Sequence, residues 1–116
     1  MPVVHVRGIS DLTKGEIDAG LRYIAAGVAA ALGRDVGDVW CTFSGLETMT
    51  VGDDVPRDDD RILYLELLLR LLPEAATALE AAANQAATAF GVRPENVWAR
   101  LTPLEPGTVF AGGEPV

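Results

Sequence analysis

Apolar positions along this chain follow two rhythms that alternate twice. Val3 to Gly8 reads as a strand. Thr13 and Glu16 then have the spacing of a capping box. Ile17, Leu21, Ile24, Val28 and Leu32 follow at three- and four-residue steps, which predicts a helix of about 20 residues. Gly33 stands where a left-handed cap belongs, and Val39 to Ser44 forms a second strand. The second half repeats the order. Arg61 to Leu71 is a strand, and Pro73 suits a first helical turn. Leu79, Ala83, Ala86 and Phe90 make the helical stripe, Gly91 caps it, and Val97 to Thr102 is the last main strand.

The halves also match residue by residue. Leu32-Gly33-Arg34-Asp35-Val36-Gly37-Asp38-Val39-Trp40 returns in pattern as Phe90-Gly91-Val92-Arg93-Pro94-Glu95-Asn96-Val97-Trp98, 58 residues on from Trp40 to Trp98. That offset sets Pro2, Val4 and Val6 against Asp60, Ile62 and Tyr64. A strand–helix–strand unit of this size closes as a right-handed parallel crossover. The expected fold is α+β: two fused β-α-β repeats, a four-stranded mixed sheet and both helices on one face. The chain is read as one domain over 1–116. Repeat 1 spans about 2–51, a linker 52–60, repeat 2 about 61–102, and a proline- and glycine-rich tail 103–116 forms a loop or short edge hairpin.

Strand alternation separates two sheet faces. Leu63, Leu65, Leu67 and Leu69 make a floor for the helices, while Ile62, Tyr64, Glu66, Leu68 and Arg70 point away. Trp98 and Arg100 share the outer face, matched by Trp40 and Thr42, and the offset adds Pro2, Val4 and Val6. A two-layer domain would leave that aromatic surface in water. It is better used as an interface between copies of the chain.

Composition narrows the function. The formal charge is −8, which disfavours a nucleic-acid groove or an anionic membrane surface as partner. No apolar run is long enough to cross a bilayer, and the opening residues lack the pattern of a signal peptide. A single cysteine, Cys41, excludes an internal disulfide and fits a reducing cytoplasm. The acidic groups Asp53-Asp54 and Asp58-Asp59-Asp60 lack the spacing of a calcium loop, so no metal and no cofactor is expected.

Met1-Pro2 followed by a strand, with two β-α-β units in so short a chain, resembles the tautomerase superfamily, most closely its macrophage migration inhibitory factor branch. Met1-Pro2 through Arg7-Gly8-Ile9 and Val97-Trp98-Ala99-Arg100-Leu101-Thr102-Pro103-Leu104-Glu105 also resemble a small bacterial family of undefined function on that fold. The resemblance implies a homotrimer that moves protons between keto and enol forms of small 2-oxo acids. It implies Pro2 as the catalytic amine once Met1 is removed. Arg70 is then the leading carboxylate-binding candidate, with Arg34 near the first helix cap. Trp98 and Arg100 match site residues contributed by a neighbouring subunit.

An ordinary α-amino group titrates near ~8. A partly buried pocket and nearby arginines would favour its neutral, proton-accepting form. The same amine could instead form an iminium with a carbonyl. A planar carboxylate suits a guanidinium held bidentately. Each residue also has a purely structural reading. Arg70 could pair with Glu66, Arg34 could be a solvated cation, and Trp98 could be packing. Arg7 and His5, the single histidine, read as strand residues, and Cys41 as inert packing. Two other functions stay open at this point: a non-catalytic trimeric binding or scaffold protein, and a dehalogenase or decarboxylase directed by Glu47, Glu66 or Glu105.

Overall fold

A parallel crossover needs a helix between its strands, and the chain builds two. The structure, a computed structural model, describes residues 2–57 and 60–115. Strand β1 (Val3–Gly8), helix α1 (Lys14–Leu32) and strand β2 (Trp40–Gly45) form the first unit. Strand β3 (Leu63–Leu69), helix α2 (Ala75–Phe90) and strand β4 (Val97–Pro103) form the second. The sheet order is β2-β1-β3-β4, parallel within each unit and antiparallel where β1 meets β3. The tail ends in a small hairpin, β5 (Phe110–Ala111) and β6 (Glu114–Pro115).

The helix punctuation follows the sequence. The Thr13 hydroxyl accepts the Glu16 N–H at 3.2 Å, and the Glu16 carboxylate accepts the Thr13 N–H at 3.1 Å. These hydrogen bonds from Thr13, the backbone one first, lower the Glu16 carboxyl below its ordinary range. Gly33 and Gly91 close the helices at φ 63° and 64°, where a side chain would be strained. Pro73 differs from expectation. It lies in a turn just ahead of α2, which starts at Ala75.

Small residues decide how the helices pack. The core face of α2 is Ala75, Ala78, Ala82 and Ala86 rather than the larger stripe, and Leu79, Ala83 and Phe90 are only half-buried. On α1, Gly20, Ile24, Ala25, Val28 and Ala29 are buried, while Ile17, Leu21 and Leu32 lie at the margin. Alanine and glycine let the two helices approach closely. A Cβ on Gly27 would stand 2.7 Å from Gln85 Cγ, and Gln85 Nε2 donates to the Tyr23 carbonyl at 3.1 Å. Below them, Leu63, Leu65, Leu67 and Leu69 form the expected floor, joined by Val4 and Val6. Each such burial contributes about 2 kcal/mol.

Val4 and Val6 are a correction. They pair with Leu67 and Leu65 and face the helices, so Val3, His5 and Arg7 occupy the outer face instead. The repeat has two offsets. Trp40 and Trp98 are 58 apart, but their parallel partners Val3 and Tyr64 are 61 apart. Helix α1 has 19 residues and α2 has 16, which accounts for the difference. A shift of three flips the parity of one strand.

In the linker, Val51 and Asp54 exchange backbone hydrogen bonds at 2.8 and 3.1 Å around Gly52. Asp58 and Asp59 lie outside the described residues, as does Met1. Among the described residues no three carboxylate, imidazole or thiol groups gather as a metal site, and no helix is long and apolar enough to cross a membrane.

Candidate functional site

The outer sheet face is a grid of three rows. Trp40, Val3, Leu68 and Thr102 form one; Thr42, His5, Glu66 and Arg100 the next; Ser44, Arg7, Tyr64 and Trp98 the third. The two tryptophans thus sit at opposite corners, Trp40 at 58% and Trp98 at 57% exposure. The middle row is polar. His5 Nδ1 and Thr42 Oγ1 share a hydrogen bond of 2.5 Å, and Thr102 donates to Glu66 Oε2 at 2.7 Å.

At the first corner, β1 begins beside the end of β3. Pro2 is fully buried, and its carbonyl accepts the Trp40 N–H at 3.0 Å. The Val3–Leu68 pairing, continued by one residue, sets Pro2 opposite Leu69, immediately before Arg70. Leu104 donates its N–H to the Leu69 carbonyl at 2.9 Å and brings the tail across this end of the sheet. The result is a cleft of about 380 Å³ between Val3, Trp40 and Arg70 on the sheet and Leu104, Glu105, Val109, Ala111 and Gly112 on the tail. Arg70 is exposed, and among the described residues it makes no ion pair; Glu66 bonds Thr102 instead.

Arg34 lines a shallower groove with Gly37, Asp38 and Trp40, so the Trp40 indole separates the Arg34 and Arg70 sides. Trp98 and Arg100 do not join this corner within the chain. They line a second cleft of about 340 Å³ with His5, Arg7, Tyr64 and Glu66, where Tyr64 and Trp98 meet edge to face at 6.1 Å. Of the five candidates, the fold gathers Pro2, Arg70 and Arg34 at one end and sets Trp98 and Arg100 in the other cleft. Cys41 is half-buried on the helix side, and burial pushes its thiol up to about 11.

Sequence reasoning missed Trp40 and the tail as parts of a cleft. The signal for Trp40 was present in its repeat partner Trp98. The tail gave none, because its position depends on where Leu104 bonds β3.

No family model matches the chain, and no curated protein matches it. Solved structures do. The protein Pt0534, inactivated by 2-oxo-3-pentynoate, superposes with a TM-score of 0.82 at 15% identity, over 97% of this chain and 95% of its own. Macrophage migration inhibitory factor from Toxoplasma gondii gives 0.79 at 17% identity, over 98% and 99%. A malonate semialdehyde decarboxylase gives 0.70 at 14%, over 95% and 90%. Two β-α-β units, one four-stranded mixed sheet and helices on one face are the fold of the tautomerase superfamily, and this chain has that fold.

Proposed function

We propose that the chain is a keto–enol tautomerase of small 2-oxo acids, working as a homotrimer without a cofactor. Its acid–base group is the secondary amine that removal of Met1 would free at Pro2. The observation that carries this reading is Arg70, an arginine without an ion pair among the described residues, on an apolar cleft beside the first residues of β1. The structurally similar protein Pt0534 is inactivated by 2-oxo-3-pentynoate, a 2-oxo acid, which supports the same substrate class.

In this reading the Arg70 guanidinium holds the substrate carboxylate through paired N–H donors. The neutral Pro2 nitrogen takes a proton from carbon 3. The C–H electron pair becomes the C2=C3 bond, the C=O π pair moves onto oxygen, and the proton now on Pro2 passes to that oxygen, directly or through solvent, which completes the enol and frees the amine again. The reverse sequence returns the ketone. Such proton transfer contributes about 10²–10⁴-fold. Arg34 adds positive charge behind Trp40. Trp98 and Arg100 would reach the cleft from a neighbouring copy, whose sheet covers the outer face.

A dehalogenase or decarboxylase reading draws on Glu105, the one of Glu47, Glu66 and Glu105 that lines this cleft. A scaffold reading needs no chemistry at all. An enol-to-ketone assay with phenylpyruvate separates these: wild-type protein converts the enol, and Pro2→Ala does not. Full activity in Pro2→Ala would overturn the mechanism.

A further inference from the structure

His5 stands near the centre of the outer face, in the row of Thr42, Glu66 and Arg100. Its ring is half-buried, Nδ1 shares the hydrogen bond with Thr42 Oγ1, and among the described residues Nε2 has no partner. The groups around it follow from the register. Strand β2 brings Thr42 and no charge. Strand β3 brings Glu66 beside the ring, Tyr64 one row away, and Arg70 past its far end. Strand β4 brings Arg100 beyond Glu66, and β1 itself brings Arg7. The segment after β2 adds only Leu46 to the cleft that His5 lines, and the tail's Glu105 lies at the Pro2 corner. Glu66 is thus the one anion in these rows, and the Thr102 hydroxyl already engages it at 2.7 Å. Arg7 and Arg100 make no ion pair among the described residues.

We propose that His5 is a pH-sensitive control on assembly: the trimer holds with the imidazole neutral and loosens when it is protonated. This rests on the homotrimer reading and adds regulation to it, because a cleft that takes Trp98 and Arg100 from a neighbour is complete only in the assembly. Each copy's three rows carry two arginines and one glutamate. Three copies therefore bring a surplus of three positive charges to the faces that meet, and three imidazolium ions would double it. Charges drawn from water into a shared interface repel one another and are poorly screened by salt. An imidazolium also donates from both ring nitrogens, and Thr42 takes only one of those bonds. The whole-chain charge acts in the opposite direction. At −8 the copies repel one another, so acid on that ground alone would draw them together. The sign of the response to acid thus separates the local effect from the global one.

Imidazoles ordinarily take up a proton near ~6.5. An assembly that excludes it keeps its full stability above that range and loses it as pH falls, by about tenfold per imidazole at pH ~5.5 and about a thousandfold for three. The protein concentration at half-dissociation varies as the square root of that constant, so it rises about 30-fold. Sedimentation equilibrium at pH ~7.5 and ~5.5, at one ionic strength, reads the change, while circular dichroism checks that the helices persist. Wild type is expected to need about 30 times more protein for half-assembly at the lower pH. His5→Asn, which cannot take the proton, is expected to assemble alike at both, and His5→Lys, charged throughout, to be loosened at both. Wild type that assembles equally at the two pH values, or more tightly in acid, would overturn the inference, as would His5→Asn that loosens as steeply as wild type. A single chain at neutral pH would sink the trimer and this control together. A trimer that loosens in acid yet leaves phenylpyruvate enol unconverted at neutral pH would sink the tautomerase reading alone.

Discussion

Trp40 and Pro2 are joined through their backbones, the indole residue's N–H resting on the proline carbonyl at 3.0 Å. The link ties the edge strand β2 to the residue just ahead of β1. It also places an exposed aromatic and a fully buried proline ring at the same corner as Arg70.

Arg70 is expected to act in binding more than in the proton transfer. Arg70→Ala should raise the KM for phenylpyruvate about 10–100-fold, the loss of one charge-assisted contact, with a smaller change in kcat. Arg70→Lys should recover only part, because an ammonium cannot hold a carboxylate bidentately. Steady-state kinetics on the three proteins check this, and an unchanged KM in Arg70→Ala would remove the residue from the site.

The outer face should be covered by other copies. Sedimentation of the dilute protein should give about three times the 12.2 kDa chain mass. Trp98→Glu, which puts a charge on the aromatic corner, should shift it toward the single chain while circular dichroism keeps the helices. A wild-type protein that sediments as one chain would contradict the trimer.

The α1 capping box gives a pH-dependent stability. Glu16 has a lowered carboxyl in the fold, so its contribution is present above the unfolded value near ~4.3 and is lost as pH falls through the folded value. Thr13→Ala should cost about 1 kcal/mol at neutral pH. Glu16→Gln should flatten the acid limb of a denaturation curve, which urea titrations from pH 3 to 6 would read.

Cys41 should be slow toward thiol reagents. With its thiol raised from 9.0 to about 11, the folded protein holds about a hundredfold less thiolate at pH 8 than the unfolded chain. The folded form binds this proton more tightly. Its contribution to stability is therefore complete below pH 9 and declines as pH rises toward 11. Reaction with an aromatic disulfide, before and after urea, measures the difference.

Much of the fold was legible because its punctuation is local. Thr13 with Glu16, Gly33 and Gly91 each act over a few residues, so spacing alone located them. The face of β1 was not legible, because it depends on the length of α1 relative to α2, and the best-matched repeat segment lies beyond that difference. Arg70 could be placed by alternation along β3. Trp40 and Glu105 could not be joined to it, since their cleft is closed by a tail whose path rests on the Leu104–Leu69 hydrogen bond.

The central claim concerns the nitrogen of Pro2, and it is tested by comparing the same sequence with Met1 removed and with Met1 retained, each verified by intact mass. The account predicts phenylpyruvate tautomerisation in the first and none above background in the second, where the nitrogen is an amide. Equal activity in both forms would contradict it.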